Sequence, residues 1–272
     1  MRAKLIAALL VIVPSWLMLP LQSSIHAESV RLKYGGAHVT RQMRDAIGQG
    51  MAIALLAGFR GVVADFLWIQ SHDYWEKKQW LQQYRDMEVV TTLQPQSILF
   101  WDEGSWHMAW NIGYAVSVDT NNVTAAQGIK RERAWHERAR EFLARGLENI
   151  PNRYELYFKM GWLYLHKLVY DCGDDLACKK ARYCEAAEYL RKAASYHDAP
   201  SFVGRTYARA LEDCGDIGAA YQQWVDMWKQ GPPMNQPSSI LEREIRRLED
   251  QFNMPDNERV FPKRPAKAPS TS

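Results

Sequence analysis

Residues 155–168 read ELYFKMGWLYLHKL, a run of good helix formers and aromatics with Gly161 at its centre. A glycine in the middle of a helix costs about 1 kcal/mol relative to alanine. That cost is offset where two helix backbones approach so closely that only a hydrogen fits between them. Tyr157, Met160 and Tyr164 share a helical face beside Gly161, so the stretch predicts one arm of a tight helical hairpin. The other arm should then offer small residues. Residues 184–200, CEAAEYLRKAASYHDAP, do so with Ala186, Leu190 and Ala193 before Pro200 ends the unit.

The same grammar extends in both directions. From residue 63 to 252, Ala, Leu, Glu, Arg and aromatics recur at i, i+3 and i+4, and no stretch alternates as a strand does. Breaks fall at Pro95, Pro151, Pro200 and Pro232, with Pro233 and Pro237 close behind. The fold class expected is all-α. A final helix is expected over 237–252, with Ser238 or Ser239 as cap and Glu242 completing a capping box. Its apolar stripe is Ile240, Leu241, Ile245, Leu248 and Phe252, and Arg243, Glu244, Arg247 and Asp250 are expected to face water. The Pro- and Lys-rich residues 253–272 have little to bury and are expected to be disordered.

At the other end, Arg2 and Lys4 precede an apolar run, Leu5–Leu21, and SSIHA then ends in the small residue Ala27. Residues 1–27 therefore read as a signal peptide or an uncleaved signal anchor, and the body is expected outside the cytoplasm. Residues 28–62 are expected to form an N-terminal helical segment. The stretch 51–69, MAIALLAGFRGVVADFLWI, is apolar but carries Arg60 and Asp65. Each charge costs on the order of 3 kcal/mol at mid-bilayer on insertion scales, so a buried helix is expected rather than a span.

The bulk numbers exclude several classes. The chain has 272 residues, 47% hydrophobic and 24% charged, with a net charge of +3, so it is neither disordered throughout nor strongly basic. Basic and acidic residues are interspersed, which gives no nucleic-acid footprint. There are 4 cysteines. An even number in an exported chain predicts disulfides. C-x5-C-x5-C is no zinc spacing, no C-x-x-C-H haem site exists, and no cofactor is implied.

The YFKMGWLY stretch, followed by small residues on the next helix, resembles the tetratricopeptide repeat, W-x2-L-G-x2-Y…A-x3-F…P. Ala208, Leu211, Gly215, Ala220 and Trp224 before Pro232 give a further unit. Trp101, Gly104, Ser105 and Met108 with Ala139, Leu143, Gly146 and Pro151 give an earlier one. Leu67, Ser71 and Tyr74 open the first, whose second helix has Gln83 where a small residue belongs. Gly204 stands where an aromatic belongs, and two insertions, 116–128 and 169–180, lengthen the units. The resemblance implies an α-solenoid of about four helical hairpins over residues 63–252 with a C-terminal capping helix. In that layout Cys184 begins one helix and Cys214 ends another on the same edge, which pairs them and leaves Cys172 with Cys178.

No catalytic motif is present: His136 and Glu137 lack the second histidine of H-E-x-x-H, and neither G-x-S-x-G nor a phosphate loop occurs. Asp65, Asp73, Glu76, Asp102 and Glu103 lie among Trp and His, and paired carboxylates beside aromatics can hydrolyse a glycan. Solvated helix faces and ion pairs use the same residues without chemistry. The resemblance implies instead a concave groove that binds a protein or peptide. Projected onto this chain it is lined by Trp68, His72, Trp75, Trp106, Trp110, Phe158, Trp162, His166, Arg205 and Arg209. Trp and Arg are the types that dominate interface energies, though the same aromatics also suit a core. The expectation is an exported scaffold at the cell envelope, in the periplasm or at the outer face of the cytoplasmic membrane, whose contact with membrane is through its N-terminal segment. The alternative is an exported helical enzyme acting on a glycan.

Overall fold

A computed structural model describes residues 58–119, 124–231 and 238–262. The expected signal or anchor (1–27), nearly all of the 28–62 segment and the side chains of Ser238 and Ser239 lie outside the described residues. Among the described residues every regular element is helical. The chain divides into two compact units, residues 1–100 and 101–272, with the division inside one helix.

The first unit holds α1 (Arg60–Glu76), α2 (Trp80–Leu93) and the start of α3 (Ile98–Trp106). Helix α1 runs across the expected boundary at 62/63. Lys78 turns the chain with φ of 55°, and Pro95 stops α2 because the residue before a proline avoids helical geometry. Val63, Ala64 and Leu67 of α1 pack with Val89, Val90 and Leu93 of α2 and with Phe100. The Gln94 Nε2 donates to the Gly61 carbonyl at 3.2 Å, tying the open end of the hairpin.

In the second unit α3 continues through a π-helical segment (His107–Ile112) into α4 (Gly113–Ser117). Then come α5 (Ala125–Asn149), α6 (Tyr154–Leu163) with a second π-helical segment (Tyr164–Leu168) and a 3-10 turn (Tyr170–Cys172), α7 (Leu176–Ala194), α8 (Ser201–Cys214), α9 (Ile217–Lys229) and α10 (Ser238–Gln251). Local chemistry sets these ends. Thr124 and Gln127 form a reciprocal capping box on α5, and Asp175 and Asp216 accept from backbone N–H groups three residues on. Pro200 precedes α8, and Gly215 ends it with φ of 94°. From α5 to α10 each helix packs against the next in sequence.

Gly161 does what its position predicts. A Cβ there would stand 2.6 Å from Leu190 Cγ and 3.2 Å from the Ala186 carbonyl oxygen. Helices α6 and α7 thus meet at the predicted small-residue layer. The α3–α5 contact uses the same device twice, with Phe142 over Gly104 and Trp101 over Gly146, and the two rings lie 4.8 Å apart.

Both expected disulfides are present: Cys184–Cys214, with Cα atoms 4.8 Å apart, and Cys172–Cys178, at 5.7 Å. The layout around them differs from expectation. Helix α7 starts at Leu176, so Cys184 is in mid-helix rather than at its start, and much of the supposed insertion 169–180 is helix. It reaches Cys214 because α8 ends there.

Two expectations at the C-terminus are corrected. Glu244 does not face water: it is 5% exposed and held by Arg209, Arg243 and Arg247 at 3.4, 3.0 and 2.9 Å. Burial alone would raise its pKa, but the three arginines pull the carboxyl below its ordinary value. Nor is the tail disordered from residue 253. Val260 N–H donates to the buried Glu249 Oε1 at 2.6 Å, and Phe261 packs edge-on against Trp228 at 4.9 Å. The Arg259 guanidinium, 2% exposed, pairs with Asp250 at 2.7 Å. Composition predicted disorder, but one Arg, one Val and one Phe satisfy groups that α9 and α10 leave open. Residues 263–272 lie outside the described residues.

Candidate functional site

Helix α6 buries Leu156, Met160, Gly161 and Leu163. Phe158, half-buried against Ala187, Leu190, Ala210, Leu211 and Ala220, and the exposed Trp162 lie one turn apart, and His166 follows in the π-helical segment. There the Val169 N–H bonds the Tyr164 carbonyl, five residues back, at 3.0 Å. Phe158 and Trp162 are 5.7 Å apart with planes at 29°, and Trp162 and His166 are 3.9 Å apart at 48°. Burial holds the His166 pKa below its ordinary value.

Phe202 of α8 extends the ladder to the neighbouring hairpin, edge-on to Phe158 at 5.2 Å. Trp162 is 37% and Phe202 41% exposed, while Phe158 and His166 are half-buried, so the ladder opens to solvent at Trp162 and Phe202. Sequence reasoning missed Phe202. It precedes Arg205 by three and Arg209 by seven on one helical stripe, so the projection that picked the arginines reaches it too. Arg205 Nη1 lies 3.4 Å from Ser201 Oγ. Arg209 is turned to the C-terminal helices, bonding Glu244 and lying 5.9 Å over the Trp224 ring.

The other predicted residues have contacts of their own. Trp106 is exposed and edge-on to His107 at 5.4 Å. Trp110 is half-buried with the Lys167 ammonium 5.4 Å from its ring centroid, and burial lowers the Lys167 pKa. In the first unit Trp68 packs on the α1–α2 core, 5.1 Å from Phe100. His72 stacks on Trp75 at 5.2 Å and lies 3.6 Å from Glu76.

The structure also assembles a polar centre that no spacing rule could find. His136, 2% exposed on α5, has its Nδ1 2.9 and 3.0 Å from the two oxygens of Asp171. Asp171 precedes Cys172 in the disulfide-closed turn, 35 residues along the chain. Glu132 Oε1 lies 3.7 Å from His136 Nε2, and a Cβ on Gly113 would lie 3.3 Å from that nitrogen. A carboxylate orienting an imidazole is an arrangement used to activate nucleophiles. Here Nε2 is covered by Gly113 and buried, so the pair ties α5 to the disulfide turn.

Three of the five carboxylates considered for glycan chemistry have basic neighbours. Asp73 pairs with Lys77 at 2.5 Å, Glu76 with His72, and Asp102 with Lys159 at 2.8 Å. Burial raises the Asp102 pKa, and Lys159 opposes that without reversing it. Asp65 is exposed and Glu103 half-buried. Among the described residues no three His, Cys, Asp or Glu side chains converge as a metal site. Comparison with known proteins finds no family model, no curated protein and no solved structure that this chain matches.

Proposed function

We propose that this chain is an exported, tetratricopeptide-like helical scaffold that binds a protein or peptide partner at the cell envelope. The observation that carries this is the open aromatic ladder Phe158–Trp162–His166, continued by Phe202 on the first helix of the next hairpin. An aromatic surface spanning two hairpins offers rigid apolar area at low entropic cost, and Trp162 is the residue type that most often carries interface energy. The two disulfides are compatible with an oxidising compartment.

The test is a photo-reactive residue at position 162 in native envelopes, with mass spectrometry of the adducts. The proposal expects one discrete protein adduct that Phe158→Ala and Phe202→Ala each diminish. Against the purified partner, Phe202→Ala should weaken binding by about 2 kcal/mol, roughly thirtyfold in Kd. Adducts confined to this chain's own segments would show that the ladder is covered from within and end the proposal.

A further inference from the structure

Helix α1 has two apolar faces. Val63, Ala64 and Leu67 point into the hairpin core. On the opposite side Phe59, which precedes the helix, and Val62, Phe66 and Ile69 recur at helical spacing and are 58, 65, 53 and 71% exposed. The sequence predicted burial for this whole stretch; only one face is buried. Single exposed apolar side chains are ordinary, but a contiguous stripe about 15 Å long marks a docking surface.

We propose that this stripe docks on the lipid bilayer surface, with α1 lying in the membrane–water interface. The stripe is Phe, Val, Phe and Ile, without the Trp, Tyr or Arg that anchor protein interfaces. The uncharged apolar run 51–57, MAIALLA, leads directly into it. Further upstream, joined by residues 22–57, is the apolar run 5–21, of a kind that enters bilayers. Asp73 and Glu76 take over the same face beyond Ile69, and Lys77 and Lys78 follow, so the apolar surface stops within the helix. That suits a helix lying on a membrane rather than crossing it. No helix among the described residues is long and apolar enough to cross. This goes beyond the aromatic ladder, which belongs to the other unit.

The test reads the environment of α1 itself, because the run 5–21 would carry the full chain to vesicles in any case. All 4 cysteines are paired, so a new cysteine is the only thiol to label. Val62→Cys, Phe66→Cys, Ile69→Cys, His72→Cys and Gln82→Cys are spin-labelled in the full chain and reconstituted in phosphatidylethanolamine–phosphatidylglycerol vesicles. Collision with oxygen is compared with collision with a water-soluble nickel chelate. Positions 62, 66 and 69 should favour oxygen several-fold over positions 72 and 82. Adding Phe66→Glu should return position 69 to the nickel chelate while thermal unfolding is unchanged. Equal nickel access at all five positions, or no response to Phe66→Glu, overturns the proposal. So does shielding of 62, 66 and 69 from both reagents, which would mean that protein covers the stripe.

Discussion

Two helical hairpins of this protein bury opposite chemistry on their second helices. In the α6–α7 hairpin the second helix offers Ala186 and Leu190 to Gly161, and the backbones close to contact distance. In the α1–α2 hairpin the second helix buries Gln83, and Asp86 three residues on. Gln83 is 0% and Asp86 5% exposed, yet neither Gln83 side-chain polar atom, nor Asp86 Oδ2, has a hydrogen-bond partner. Burial pushes the Asp86 pKa up to about 7. A layer of hydrogen and methyl groups tolerates close approach with nothing left to satisfy. A layer with an amide and a carboxyl owes desolvation that no partner returns. The first hairpin therefore has reserves of stability that substitution can release, and the other has almost none.

The largest expected effect breaks the tight side. Cys184–Cys214 joins α7 to α8 across a sequence separation of 30. The Cys184→Ser and Cys214→Ser double variant should lose about 4 kcal/mol by loop-closure entropy, seen as a lower denaturation midpoint under non-reducing conditions. An unchanged midpoint would mean that packing alone holds α7 to α8.

The polar side should show itself in pH. Because the folded Asp86 holds its proton more tightly than the unfolded one, the folded state binds more protons between the two pKa values. Its stabilising effect is present in full below about pH 4 and is lost as pH rises to about 7, by about 4 kcal/mol in all. Urea titrations across that window should find a falling contribution that Asp86→Asn abolishes; identical slopes in both proteins would remove Asp86 as its source.

Gly161→Val should cost about 2–3 kcal/mol, since the added atoms meet Leu190 and the Ala186 carbonyl and the gain in helix propensity is smaller. Pairing it with Leu190→Ala should recover part of the loss if Leu190 is the obstacle. The smallest effect runs the other way. Gln83→Met keeps the side-chain length and removes two unsatisfied polar atoms, so thermal unfolding should rise by the equivalent of about 1–2 kcal/mol. A lower Tm would show that the amide has a partner in the folded protein.

How much of this was legible depends on the range of each signal. The helix ends at Pro95, Pro200 and Gly215 and the close approach at Gly161 could be read because each rests on neighbouring residues; the two cysteine pairs matched expectation although the helix layout used to pair them did not. The aromatic ladder was half legible: Phe158, Trp162 and His166 share a helical stripe, whereas Phe202 meets them only because α8 comes alongside. His136 and Asp171 gave no signal, since a histidine and an aspartate far apart in sequence have no periodicity to betray them. Glu244 was misplaced for a related reason. A helical wheel assigns it to the polar face but does not show that Arg209 of another helix lies over that face.

The amino-acid sequence by itself determined that this protein is helical, where its helices break and which interfaces need a glycine. Those properties follow from backbone propensity and side-chain volume within a few residues. Tertiary structure alone decided which polar groups are buried and who satisfies them. It gave Glu249 to the Val260 amide, set His136 on Asp171, left Gln83 with no hydrogen-bond partner, and turned the second apolar face of α1 outward. Burial depends on which surfaces meet, and surfaces distant in sequence meet only after the chain has folded.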